Sequence, residues 1–189
     1  MPTFPTHELI DRLQATLRNQ VQRTEQLMQL PLAVLTTAPG PKRWSVLEVI
    51  AHLNILGGHY HERLRKVYSD GVGFGKEDGF RSGYWGEKMT RTMQPKADGG
   101  IPWKMRTMAR FEPRTVSSAP DELQRFHVLL VDLQRLLERA RILGLEGPRI
   151  TSTLGPIFRF KPGDAFRFTI AHQERHFLQI ERTLAEIDR

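Results

Sequence analysis

The chain has 189 residues, no cysteine, and 28 Lys and Arg against 21 Asp and Glu, which gives a formal charge of +7. This length fits one domain, 1–189, with enough chain to bury a hydrophobic core. The lack of cysteine excludes disulfides, cysteine-ligated zinc, iron–sulfur clusters and a cysteine nucleophile. A metal site would have to use His, Asp or Glu, so the seven histidines are the first residues to examine.

Membrane and secretory signals are not visible in the sequence. No apolar run approaches the roughly 20 residues that span a bilayer, and the first residues lack a basic segment followed by an apolar one. We therefore expect a cytoplasmic protein without a membrane partner. The positive charge permits an anionic ligand or nucleic acid, but it bears on solubility and encounter rates more than on function.

The first two predicted helices have apolar residues at three- and four-residue steps. The first runs over about 6–30, and Pro31 ends it. The second begins at Ser45, where Ser45 and Glu48 form a capping box, and it fades near Val67.

A glycine pair, Gly57-Gly58, interrupts the second helix. Each glycine costs about 1 kcal/mol relative to alanine inside a helix. The pair therefore predicts either a close approach of another backbone element or space left for a bound group.

A long connection over about 69–116 follows, and it contains eight of the 15 glycines. A connection of this length inside one domain is typically functional or mobile. A short helix is predicted within it at Tyr84–Met93.

Two more helices follow the connection. The third begins near Ser117 and ends at Gly144, a suitable C-cap. The fourth takes Asp164 as its N-cap and continues to about Ile187. A loose alternation at Ile150–Phe160 is compatible with a short strand or hairpin. The pattern predicts an all-α four-helix bundle with a long Gly-rich connection between helices two and three.

The fourth helix carries His172 and His176 at positions i and i+4, which places both imidazoles on one face. One helix can supply two ligands to a first-row metal with this spacing. The pattern does not match a metalloprotease, because Gln173 and Arg175 stand where the direct and inverted motifs need glutamate. Glu174 lies about 200° around the helix from His172, so it points away from the pair.

A third candidate is His52, in an apolar stretch of the second helix. Its ring nitrogens must find polar partners if the ring is buried. Taken alone, His52 is better explained as a hydrogen-bonded core histidine than as a metal ligand, and the His172 and His176 pair on another helix is what favours a three-histidine site.

Two motifs together resemble the DinB-like (YfiT-like) metal-binding four-helix bundles: Trp44-Ser45-x-x-Glu48-x-x-x-His52-Leu53 and His172-x-x-x-His176-x-x-Gln179-Ile180. The resemblance extends over nearly the whole chain. It implies a divalent metal ion, usually zinc or nickel, held by His52, His172 and His176. Gln179 shares the face of the two helix-four ligands and is expected to lie directly behind them.

The resemblance also implies a type of chemistry. Three neutral imidazoles leave an open coordination position, which is typical of catalytic sites. Characterised members of the family include thiol-dependent S-transferases and a thiol-dependent isomerase, so a low-molecular-weight thiol and a small-molecule substrate are expected. A metal-dependent hydrolase is the other enzymatic possibility.

Two residues near these motifs, His59 and Trp44, each have two interpretations. His59, seven residues after His52, is either a proton shuttle or extra ligand, or a partly exposed polar residue. Trp44 either lines the mouth of a pocket or packs at the helix start. His7, His61 and His127 have no partner at a telling spacing and are expected at the surface.

The main alternative to an enzyme is a non-catalytic module with a structural metal site that binds a small ligand or nucleic acid. The connection mixes aromatic residues with nine cationic ones, a composition that suits single-stranded nucleic acid. It also carries six acidic residues, so nucleic acid is the less favoured ligand. A homodimer through an open bundle face is a further expectation.

Overall fold

Helices account for most of the chain. The computed structural model describes residues 1–75, 78–96, 98–102, 106–113 and 116–188. Within these ranges lie six α-helices, α1 (Thr6–Leu27), α2 (Leu32–Thr36), α3 (Val46–Val67), α4 (Tyr84–Met93), α5 (Ala119–Leu143) and α6 (Pro162–Ile187). A turn of 3-10 helix, Ala109–Phe111, belongs to the connection between α3 and α5.

The ends of α3 and α5 follow from their capping residues. At α3 the Ser45 hydroxyl accepts a hydrogen bond from the Glu48 N–H, and the Glu48 carboxylate accepts from the Ser45 N–H at 2.8 Å, so the capping box is formed. Ser118 caps α5 by accepting from the Asp121 N–H. Gly144 ends α5 at a φ of +95°, which glycine adopts without strain.

The four longest helices share one buried core. Helix α1 contacts α5 and α6, and α3 contacts the same two helices, which brings α3 and α6 side by side. The most deeply enclosed side chains include Leu17, Tyr60, Leu64, Phe126, Leu130, Phe166 and Phe168. No helix in the described ranges is both long enough and apolar enough to cross a membrane.

Two small antiparallel sheets accompany the helices, and the sequence analysis anticipated only one of them. Strand β1 (Thr3–Pro5) pairs with β2 (Gly79–Arg81), and β3 (Ile150–Ser152) pairs with β4 (Gly155–Phe160). The second pair is the hairpin with which the alternation at Ile150–Phe160 was compatible. The first pair joins the start of the chain to the connection.

Two helix ends differ from the predicted ones. Helix α1 ends at Leu27 rather than near residue 30, because the chain turns before it reaches Pro31. Helix α6 begins at Pro162, so Asp164 is not its N-cap. The Asp164 carboxylate is instead buried and accepts hydrogen bonds from the Ser82 hydroxyl and the Gly83 N–H. It thereby fastens the start of α4 to α6.

Candidate metal centre

Three buried imidazoles converge between α3 and α6. His52 comes from α3, and His172 and His176 come from consecutive turns of α6. Their exposed fractions are 3%, 6% and 8%. The ring centroids lie 4.5–5.3 Å apart, and one nitrogen from each ring lies within 4.8 Å of the other two. The structure therefore brings the predicted pair, His172 and His176, together with the separate candidate His52 in one cluster.

Two of the rings have their Nδ1 atoms held by fixed acceptors. His52 Nδ1–H donates to the Phe111 carbonyl at 2.8 Å, and His176 Nδ1–H donates to Gln179 Oε1 at 2.9 Å. A proton on Nδ1 leaves the Nε2 lone pair of a neutral imidazole free. These hydrogen bonds therefore orient both rings as metal ligands are oriented in proteins.

The distances within the cluster fit one metal ion. His172 Nε2 and His176 Nε2 lie 3.2 Å apart, close to the separation of about 3.4 Å between two ligands of a tetrahedral zinc ion with bonds of about 2.0–2.1 Å. His172 Nδ1 is buried and has no hydrogen-bond partner among the described residues. Imidazole nitrogen is a ligand that zinc and nickel both accept.

The electrostatics of the cluster favour neutral rings. Burial lowers the pKa of His52, lowers that of His172 well below its ordinary value, and lowers that of His176 to about 3. The neighbouring imidazoles and the Arg175 guanidinium lower the pKa of His172 further. Only a neutral imidazole can donate its lone pair to a metal ion, so the surroundings keep all three rings in the binding form.

The cluster forms part of the wall of a cavity of about 340 Å³. Three cations, Lys42, Arg43 and Arg175, also line it, and none of its described lining residues is acidic. The remaining lining is mostly apolar or hydroxyl-bearing: Trp44, Leu56, Met93, Thr107, Met108, Phe111, Thr153, Leu154, Phe168 and Thr183. A small molecule placed here would meet the imidazoles, positive charge and apolar surface together.

The connection and the hairpin complete the cavity. The 3-10 turn supplies the Phe111 carbonyl that holds His52. Its Arg110 donates to the Thr153 carbonyl at 2.6 Å, which ties the turn to the hairpin. The Thr153 N–H in turn donates to the Tyr60 hydroxyl of α3. Segments distant in the sequence are therefore fastened to each other around the imidazoles.

A sequence model described as the DinB superfamily matches residues 12–180. The chain belongs to the DinB superfamily. The match includes all three histidines and Gln179, and it confirms the family resemblance carried by the two motifs. Comparison with curated proteins and with solved structures found no match.

The other residues singled out in this DinB superfamily chain fall in different places. Trp44 lines the cavity with its ring centroid 5.2 Å from that of His52, and Gln179 lies behind His176. His59 does not join the three rings, because its Nε2 bonds to the Thr151 carbonyl at 2.9 Å and faces the hairpin. Glu174 lies away from the cluster, where Gln20 of α1 donates to it.

Two residues that contribute to the site of this DinB superfamily chain were not identified from the sequence. Phe111 acts through its backbone carbonyl, which no side-chain pattern could indicate. Arg175 was considered only as the residue that replaces a glutamate of a protease motif. Its place between two histidines of one helix face was the available signal that it also borders the site.

The connection of this DinB superfamily chain does not present a row of free aromatic rings in the part that is described. Trp85 packs edge-on against Phe158 with ring centroids 4.8 Å apart, and Lys88 lies over Trp85. Four other residues that suggested nucleic-acid binding lie outside the described residues: Lys76, Trp103, Lys104 and Arg114.

Proposed function

We propose that this protein binds a divalent metal ion, zinc or nickel, through His52, His172 and His176. We propose further that the protein uses the ion to transfer a thiol to a small molecule. The alternative metal-dependent reaction is the hydrolysis of a small molecule. The observation that carries the proposal is the convergence of three buried imidazoles, 4.8 Å or less between their nitrogens, in the wall of a cavity.

An ion held by three imidazoles would supply a Lewis acid that lowers the pKa of a thiol or a water molecule. The chain's own residues perform the positioning. The Phe111 carbonyl and Gln179 Oε1 keep protons on Nδ1 of His52 and His176, so that both Nε2 atoms remain ligands. Leu56, Met93 and Phe168 give the cavity an apolar lining that limits water around the reacting groups.

The lining favours thiol transfer over hydrolysis. Hydrolysis ordinarily also uses a positioned general base, most often His, Glu or Asp. The described residues that line the cavity include no carboxylate, and the three histidines among them are assigned to the ion. The thiol would be a low-molecular-weight cofactor, since the chain has no cysteine.

The proposal also covers the setting of the site. Helices α1, α3, α5 and α6 would be the four-helix bundle that carries it, and the Gly-rich connection would cover one side of the cavity. We propose the cytoplasm as the location, where small thiols are kept reduced. A homodimer remains a prediction for which solution size measurements are needed.

Metal analysis of purified variants tests the site directly. We expect His52→Ala and His172→Ala to lose the bound ion, because each removal leaves only two imidazoles. His127→Ala is the matched control, since His127 is partly exposed on α5 and contacts Glu25. Equal metal content in wild type, both site variants and the control would overturn the proposed site.

Turnover assays separate the enzyme from a binding module. The metal-loaded wild type would be incubated with several low-molecular-weight thiols and small electrophiles, and product would be measured. We expect thiol-dependent product from the wild type and the His127→Ala control and none from His52→Ala. Tight ligand binding without turnover would instead support the non-catalytic alternative.

A further inference from the structure

Arg175 is the cation of the cavity wall that lies closest in sequence to the metal-binding candidates, between His172 and His176 on α6. Its side chain is half-buried. Its Nη1 atom donates to the Thr92 carbonyl at 3.3 Å, which anchors the guanidinium to the end of α4. The group therefore has a fixed place at the cavity.

No carboxylate among the described residues forms an ion pair with Arg175. Arg43, which lines the same cavity, pairs with Glu186, and the buried Arg167 pairs with Glu87 and Asp164. Partial burial of a cation without an anion is unfavourable, and a bound anion would offset that cost.

The hydrogen bonds of Arg175 leave one edge of its guanidinium available. Nη1 is used by Thr92, whereas Nε and Nη2 make no hydrogen bond with the described residues. The Nε–H and Nη2–H pair on one edge matches the two oxygens of a carboxylate. Because Nη1 is already engaged by Thr92, the Nε–Nη2 edge offers two parallel donors, which suit a planar carboxylate better than a phosphate, which is usually held by more donors.

We propose that Arg175 is a substrate-binding residue that selects a small molecule bearing a carboxylate. The carboxylate pairs with the free guanidinium edge, and the apolar part of the molecule contacts Leu56, Met93 and Phe168. The reactive end then faces the three imidazoles. This last step rests on the proposed metal-dependent function, whereas carboxylate binding to Arg175 does not require the ion.

A matched pair of probes tests the selection. Benzoate and benzyl alcohol carry the same ring, and only benzoate has a carboxylate. Their affinities would be measured by ligand-observed NMR on the full-length protein, as purified and again after chelation of metal. We expect the wild type to bind benzoate at least about tenfold more tightly than benzyl alcohol in both preparations.

The variants distinguish Arg175 from general positive charge. In Arg175→Gln the two probes should bind equally, with benzyl alcohol affinity unchanged, and Arg175→Lys should keep only part of the preference because it lacks the fork. Arg182→Gln is the control, since Arg182 also donates to a backbone carbonyl, that of Gly99, and is not part of the cavity lining. This control should retain the wild-type preference.

Two results would overturn the carboxylate proposal: a wild type without preference for benzoate, or an Arg175→Gln variant that keeps the full preference. Metal content, measured on the same samples, separates this failure from that of the proposed function. A wild type that selects benzoate but binds no metal would retain the carboxylate site and lose the metal-dependent reaction. A metal-binding wild type without selection would do the reverse.

Discussion

At the scale of single residues, hydrogen bonds to two of the three imidazoles fix the orientation of their rings. An imidazole presents the same nitrogen to a metal ion each time only if its other nitrogen has a fixed acceptor. Gln179 supplies that acceptor to His176 from one turn further along α6, and the Phe111 carbonyl supplies it to His52 from another segment. One acceptor is therefore local and the other depends on the connection.

Replacement of Gln179 measures the value of the local acceptor. We expect Gln179→Ala to weaken zinc binding by about 10- to 100-fold, because His176 loses the partner that fixes its ring. Gln179→Glu keeps an acceptor oxygen and should bind zinc about as well as the wild type. Competition with a chelating dye gives the affinities.

Gln26→Ala on the exposed side of α1 is the control for Gln179→Ala. An unchanged zinc affinity in Gln179→Ala would show that the hydrogen bond to His176 has no part in metal binding.

At this scale the sequence was most informative where the chemistry lies on one helix. The spacing of His172, His176 and Gln179 predicts a shared face, and the structure brings them together. The Phe111 carbonyl could not be predicted, because backbone carbonyls are identical at every residue and only the path of the connection selects one. His59 shares a helix face with His52 but is drawn to the hairpin, which the sequence did not define.

At the scale of elements, the glycine pair of α3 has a packing explanation. A Cβ at Gly57 would lie 3.1 Å from Leu129 Cδ1 of α5, whereas a Cβ at Gly58 would meet no atom within 4 Å. Gly57 is therefore closely approached, but by the Leu129 side chain and not by the backbone element that the sequence predicted. Gly58 has no neighbour that requires the absence of a side chain.

This difference predicts unequal effects of alanine at the two positions. Gly58→Ala should raise the free energy of unfolding by about 1 kcal/mol, because alanine is the better helix former. Gly57→Ala should gain less, because the Leu129 side chain must shift to admit the methyl group. Urea unfolding measures both. An equal gain in the two variants would contradict the assignment of a packing role to Gly57.

Helix ends were predictable where a side chain caps its own helix. The Ser45 and Glu48 capping box and the Gly144 terminus follow from local sequence. Asp164 has the residue type of a cap, but α6 begins two residues earlier, at Pro162, and Ser82 and Gly83 bind the Asp164 carboxylate. A residue type that often caps a helix therefore makes tertiary hydrogen bonds here, and a single sequence does not reveal such contacts.

At the scale of the whole molecule, a buried polar network joins α4 to α6. Asp164 is fully buried and accepts from Ser82 and Gly83, and Arg167 bridges Asp164 to Glu87 of α4. Since α4 also carries the Thr92 carbonyl that holds Arg175, this network fixes one wall of the cavity.

Gly86→Ala should break that attachment. A Cβ at Gly86 would lie 2.2 Å from Asp164 Cγ, so α4 or Asp164 must move. We expect the free energy of unfolding to fall by about 1–3 kcal/mol, the usual cost of overpacking. Urea unfolding beside Gly58→Ala, where the same methyl group meets no neighbour, gives the comparison. A Gly86→Ala protein as stable as wild type would show that α4 is not held through Asp164.

The sheets mark the limit of prediction at this scale. The two strands of the hairpin are adjacent in the sequence, and a loose alternation of apolar residues indicated them. In contrast, β1 and β2 are three-residue strands from distant segments. Strands so short carry too few residues for a periodic signal. Their pairing depends on where the helices place the chain.

The convergence of His52 with His172 and His176 has a consequence for biosynthesis. The ribosome releases His52 before α5 and α6 are synthesised, because His172 follows His52 by 120 residues in the sequence. A truncated or still-growing polypeptide has one imidazole of the three and none of the wall that α6 provides. The proposed three-imidazole site can therefore form only after α6 has left the ribosome and packed against α3.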